Sequence, residues 1–196
     1  MSEQKGKNVV EIEKIRVIFE AGPLITSCRF QVGERPIIDF VLDFCEVIIT
    51  PSVKRDVIEK GFRYPDAVLA GERVHEGKIV VKGPLSVSGR ILRLYKLGDG
   101  EVDSVRLFQE SGDHVEYVVI DDNLAYIVSD RMRLSKIFFL DLILELVKRN
   151  RLDGATAQKI IEMVRPRYSE GFIEHSLEIL KRQEEGRNAN IRNKDR

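Results

Sequence analysis

Short apolar runs punctuate the chain, and most of them end at a charge, a glycine or a proline. Val17, Ile18 and Phe19 run into Glu20, and Val47, Ile48 and Ile49 into Thr50-Pro51. Ile79, Val80 and Val81 run into Lys82-Gly83, and Val118, Val119 and Ile120 into Asp121-Asp122. Runs of this length with no alternating polar face read as strands buried on both sides. The expected strands are 16–20, 47–50, 78–82 and 117–120, with "SKIFF" at 135–139 as a candidate fifth.

Between the runs the apolar positions change to helical spacing. Positions 37, 38, 41, 42, 44 and 45 predict a helix over 36–47. Thr50 is a suitable N-cap, Pro51 suits a first helical position, and Gly61 closes a helix over 51–61. Further helices are expected over 65–77, 100–112, 123–132, 141–151, 154–165 and 169–183, while Gly22-Pro23 reads as a turn and 83–99 as a loop with a short helix. The alternation implies an α/β fold: a three-layer α/β/α sandwich around a mostly parallel sheet of about five strands, with extra C-terminal helices. Residues 1–14 read as a flexible N-terminal segment, 15–183 as a single domain and 184–196 as a disordered basic tail.

Composition then narrows the class. With 32 basic and 32 acidic residues the net charge is zero, so attraction to nucleic acid must come from local patches. Candidate patches are Arg131, Arg133 and Lys136, and a second run at Lys148, Arg149 and Arg151. The longest apolar run, 137–147, is too short to span a bilayer and contains Asp141 and Glu145. Cys28 and Cys45 sit among apolar neighbours and read as buried thiols of a reducing compartment. A cytoplasmic protein without membrane contact is expected. His75, His114 and His175 lack ligand spacing and read as surface residues.

The chemistry lies in the acids. In open parallel sheets ligands bind beyond the carboxyl ends of the strands. Glu20 follows the first strand there, Asp56 lies in the helix after the second, Glu101 opens the helix after the "GDG" turn, and Asp121 and Asp122 follow the fourth strand. Carboxylates sharing a small volume must be protonated or neutralised by a cation. An oxygen-only, histidine-poor set favours Mg²⁺ or Mn²⁺ over Zn²⁺ and suits hydrolysis of a phosphodiester. One of Asp121 and Asp122 is expected to cap the helix that follows.

The segments "FEAGPLI", "VIITPSVKRDVIEKG", "LGDGEVDSV" and "VVIDDNLA", in this order, resemble the PIN-domain superfamily, and in particular its prokaryotic toxin-like branch; the likeness extends from about residue 16 to about 183. The resemblance implies a metal-binding nuclease site made of Glu20, Asp56, Glu101 and one or both of Asp121 and Asp122. It implies a Mg²⁺- or Mn²⁺-dependent endoribonuclease acting on single-stranded RNA, often as a toxin paired with an antitoxin protein. Three positions depart from the family pattern: Glu20 stands where Asp is usual, Asp56 where Glu is frequent, and Phe139-Leu140 where Gly-Thr is common. They motivate a second expectation, a non-catalytic scaffold that binds RNA or a protein. Apolar stripes at Ile160, Ile161 and Val164 and at Phe172, Leu177 and Leu180 read as core, with a homodimer face as the alternative.

Overall fold

The computed structural model describes residues 13–85, 92 and 94–194, with side chains described through residue 187. The short helix expected within 83–99 and nearly all of the N-terminal segment expected over 1–14 fall largely outside the described residues. Five strands form one parallel sheet: β1 (Ile15–Phe19), β4 (Cys45–Ile49), β5 (Ile79–Val81), β6 (Tyr117–Val119) and β7 (Lys136–Ile137), in the order β5-β4-β1-β6-β7. A two-stranded antiparallel ribbon, β2 (Gln31–Val32) with β3 (Arg35–Pro36), lies apart from it.

The apolar runs of β1, β4 and β6 form strands whose two faces are covered, whereas β5, expected to be buried on both sides, is an edge strand that buries Ile79 and exposes Val80 and Val81. Ile15, Val17 and Phe19 of β1 point into one core with Cys45, Val47 and Ile49 of β4, while Ile18 and Ile48 point into the other with Val118 and Ile120. This period of two is what a strand imposes on neighbouring side chains. On the first face pack helices α1 (Ala21–Arg29), α2 (Ile37–Phe44), α4 (Pro65–His75), α7 (Phe139–Lys148) and α8 (Gly154–Met163). On the second pack α5 (Asp99–Ser111) and α6 (Asn123–Arg131). The three-layer α/β/α sandwich is therefore as expected. The helices are tied together by ion pairs, of which Arg73 with Asp39 is bidentate at 2.7 and 2.8 Å and joins α4 to α2.

Several boundaries move for local reasons. Gly22-Pro23 is no turn but the first turn of α1: Glu20 takes the extended N-cap conformation, and Pro23 sits where an N–H has no intrahelical partner to lose. The helix expected over 36–47 stops at Phe44, because Cys45 and Glu46 pair in register with Ile15 and Arg16. The Thr50 cap holds, its Oγ1 accepting from Val53 N–H at 3.2 Å. Beyond α3 (Pro51–Val53), however, the chain widens into a π-helix over Lys54–Glu59. The π-helix ends at Glu59, and position 61 must be glycine, since a Cβ there would run into the Val57 carbonyl oxygen. Strand β7 is shorter than expected and α7 begins at Phe139, which brings Phe139 and Leu140 into a helix N-terminus.

At the C-terminus α9 runs from Glu170 to Lys194, so residues 184–194 are helical where the sequence, lacking an apolar period, reads as a disordered tail. The apolar stripes are mostly core: Ile160, Ile161, Val164 and Leu180 are buried, whereas Phe172 is 49% exposed. Among the described residues no helix is long and apolar enough to cross a membrane.

Candidate active site

The chain passes from β1 to β4 and β5 on one side of the sheet, then returns to β6 and β7 on the other. The switch point lies between β1 and β6, where the connections diverge and leave a crevice at the carboxyl ends. Glu20 leaves β1 and Asp121-Asp122 follow β6 at this place, and Glu20 N–H donates to the Val119 carbonyl at 3.2 Å. Helix α5 brings Glu101 and the π-helix brings Asp56. The resulting pocket of about 320 Å³ is lined by Glu20, Asp56, Glu101, Asp121 and Asp122, with Asp99, Arg167 and three glycines. Gly22 permits the approach: a Cβ there would stand 3.3 Å from the Asp121 Cβ.

Each acid has a different environment. Glu20 is only 4% exposed, and its Oε1 has no hydrogen-bond partner. Burial, then the nearby charges of Glu101, Asp122 and Asp121, hold its carboxyl well above the usual carboxylate range. Asp121 accepts from the Phe139 N–H at 3.1 Å on Oδ1 and from the Tyr168 hydroxyl at 2.6 Å on Oδ2. Burial still raises its carboxyl, against the lowering effect of those two donors and of Arg167. Asp122 is the helix cap, its Oδ1 accepting from Ala125 N–H at 2.8 Å.

Glu101 reaches back to accept from Gly98 N–H at the start of α5. Burial raises it, the Gly98 bond lowers it, and Asp122 and Asp56 raise it further. Asp56 stands apart in kind. It is ion-paired to Lys60 Nζ at 2.7 Å and to Arg55 at 3.5 Å, and the Lys60 hydrogen bond leads the effects that lower its carboxyl.

Among the described residues no group of three or more His, Cys, Asp or Glu is arranged as it stands to hold a metal ion. The local bonds explain this: Asp121, Asp122 and Glu101 each accept from a neighbouring N–H or O–H, and Asp56 leans toward Lys60. The donor set nevertheless fits a hard cation, being all oxygen, with one buried oxygen orphaned and further lone pairs unused.

The expected basic patches are less direct. Arg131 and Arg133 are exposed and line neither the acid pocket nor the aromatic cleft beside it. Lys136 is bonded to Asp130 at 2.6 Å and lies over the Tyr126 ring, leaving its side chain 12% exposed. Arg149 and Lys148 are engaged with Glu145, and Arg149 also with Glu116. Among the described residues the cation that lines the pocket is Arg167, in a 3₁₀ turn (Arg165–Arg167) between α8 and α9. It makes no ion pair among the described residues and hydrogen-bonds Thr26 Oγ1 at 3.3 Å. Sequence reasoning passed over Arg167 and Tyr168 because they lie in a connector with no apolar period; the only signal was the local "RPRY" of basic and aromatic residues. The Phe139-Leu140 departure also finds its place: the Phe139 ring packs edge-on against Phe19 at 6.3 Å in the core, while its backbone N–H serves Asp121.

An open parallel sheet with six carboxylates lining the pocket at its switch point defines a nuclease-like α/β protein. A family model described as a PIN domain matches residues 16–182, and the chain belongs to the PIN-domain family. PIN-domain proteins generally bind nucleic acids and use divalent metal ions. No curated protein matches the chain.

Proposed function

We propose that this chain is a Mg²⁺- or Mn²⁺-dependent ribonuclease that cuts single-stranded RNA at the acid pocket. The observation that carries the reading is the buried, unpartnered Glu20 Oε1 set among Glu101, Asp121 and Asp122. An orphaned carboxylate oxygen surrounded by other carboxylates is costly unless it is protonated or a cation joins them, and a cation lets all of them stay ionised. Bound between these residues, the cation would neutralise the acids and supply Lewis-acid activation of the phosphodiester and of water.

The chain's own residues then divide the work. Asp121 is oriented by the Phe139 N–H and the Tyr168 hydroxyl, as outer donors orient a ligating carboxylate. Asp122 spends one oxygen on the α6 cap and keeps the other for the pocket. Glu20 and Glu101 line it together, and Asp56, already neutralised by Lys60, supports them. Arg167 places a positive charge where an RNA phosphate enters.

The test is cleavage of single-stranded RNA in Mn²⁺ by the wild type and by Glu101→Gln. Glutamine preserves the contact with Gly98, so folding is retained, and loss of the ligand is expected to lower the rate about a hundredfold. Equal rates in the two proteins would overturn the assignment. A toxin role, with an antitoxin protein as partner in the cytoplasm, further predicts growth arrest on expression that depends on the same glutamate.

A second reading, a PIN-domain scaffold that binds RNA or a protein without cutting, is favoured by the local bonds already made by Asp121, Asp122 and Glu101. Calorimetry with Mn²⁺ separates the two, because a scaffold shows no carboxylate-dependent uptake.

A further inference from the structure

Beside the acid pocket, and sharing Asp121 and Arg167 with it, lies a second cleft of about 440 Å³. Its walls are aromatic. Tyr126 of α6 stacks on Phe138 with ring centres 4.2 Å apart and planes within 6°. Phe138 in turn faces Phe172 of α9 at 5.7 Å with a tilt of 54°. Phe172 is half-exposed, which is unusual for the apolar stripe of a helix whose Ile173 and Leu180 are buried. A half-buried carboxyl, Asp141, lines the same cleft with the exposed His175 near it and makes no hydrogen bond or ion pair among the described residues.

We infer that this cleft is a nucleobase subsite. A base of the RNA strand stacks on Phe172, backed by the Phe138–Tyr126 pair, and donates its amino group to Asp141. This rests on the RNA reading above and adds to it a place for the base and a preference among bases. The occupant follows from the chemistry. Unstacked bases of single-stranded RNA are held on aromatic faces and read along their hydrogen-bonding edges. The shared Arg167 lies between the two clefts, so a phosphate held there puts the adjoining base within reach of the rings. Asp141 selects because adenine, cytosine and guanine offer an amino donor to a carboxylate. Uracil offers one N–H flanked by two carbonyl oxygens, which a carboxylate repels.

The experiment is metal-free. A uridine tetranucleotide carrying one 2-aminopurine is titrated with the protein in EDTA at pH 8. The chain has no tryptophan to interfere, and stacking quenches the probe. Saturable quenching is expected, weakened about 5- to 100-fold in Phe172→Ala and restored in Phe172→Tyr. Because Phe172 is half-exposed, its removal leaves the core intact. Oligoadenylate is expected to displace the probe at lower concentration than oligouridylate. Asp141→Asn, which offers a donor as well as an acceptor, narrows that difference.

Absence of quenching, or quenching indifferent to Phe172→Ala, overturns the subsite. So does a change of oligomeric state in Phe172→Ala without oligonucleotide binding, which would mean that a second copy covers the ring. Cleavage in Mn²⁺ without Phe172-dependent quenching overturns the subsite and leaves the nuclease reading intact. Quenching without cleavage overturns the nuclease and leaves the subsite.

Discussion

Replacing Glu20 with glutamine is expected to stabilise the metal-free protein at neutral pH, although it removes a buried residue's native side chain. Glu20 is 4% exposed, its Oε1 has no partner, and Glu101, Asp122 and Asp121 lie near enough to raise its carboxyl in addition to the effect of burial. A buried polar group left unsatisfied costs about 1–3 kcal/mol, and more when charged. Glutamine is similar in shape, carries no charge, and can donate its amide hydrogens to the surrounding carboxylates. Removing the charge should therefore return about 1–3 kcal/mol, or roughly 2–12 °C in Tm for a chain of this size. The pH dependence has a definite sign. Because the folded carboxyl is raised above its unfolded value, its protonated form stabilises the fold at low pH, and that stability is lost as pH rises through the folded value. The advantage of Glu20→Gln should thus be small at pH 4 and grow toward pH 8. Saturating Mn²⁺ should reverse the order, since a ligand at a hundred times its Kd adds about 2.7 kcal/mol and the variant forfeits much of it. Thermal melts in EDTA across this pH range, repeated in Mn²⁺, measure both effects. If Glu20→Gln melts below the wild type in EDTA at pH 8, Glu20 is not a charge held at a cost, and the reasoning is wrong.

Three other outcomes are expected. Asp56→Asn should slow RNA cleavage less than about tenfold, since Asp56 is already neutralised by Lys60, whereas Asp121→Asn should cost about a hundredfold or more; single-turnover rates distinguish them. Burial pushes the Cys28 and Cys45 thiols up to about 12, so neither should react with a disulfide reagent at pH 8 until the protein unfolds, when both should. Arg73 holds the Asp39 carboxyl below its usual range, so this pair stabilises above the unfolded carboxylate value and is lost as pH falls through the folded one. Asp39→Asn should cost about 2 kcal/mol in urea melts at pH 7, with the difference shrinking toward pH 3.

The sequence by itself determined the sheet and the acids' places along the chain. Strands buried on both faces carry no polar alternation, so β1, β4 and β6 stand out as apolar runs, and β5 reads the same way although it lies at the sheet's edge with Val80 and Val81 exposed. The residue that follows such a strand lies at the carboxyl end of the parallel sheet, which is why Glu20 and Asp121-Asp122 could be named as strand-end acids; the strand order that makes β1 and β6 neighbours came from the tertiary structure. Where a local rule competed with pairing, pairing decided: Cys45 and Glu46 have helical spacing but a strand partner in Ile15 and Arg16. The division of labour among the acids was legible only in three dimensions. Asp122 caps, Asp121 is oriented from residues 18 and 47 positions away, Asp56 is neutralised, and among the described residues the Glu20 Oε1 is left without a partner. Arg167 and the Tyr126, Phe138 and Phe172 rings reach the site from three separate segments, and no periodicity connects them. Spacing along a chain records which face of its own element a residue occupies; which faces meet is settled by the packing of the whole.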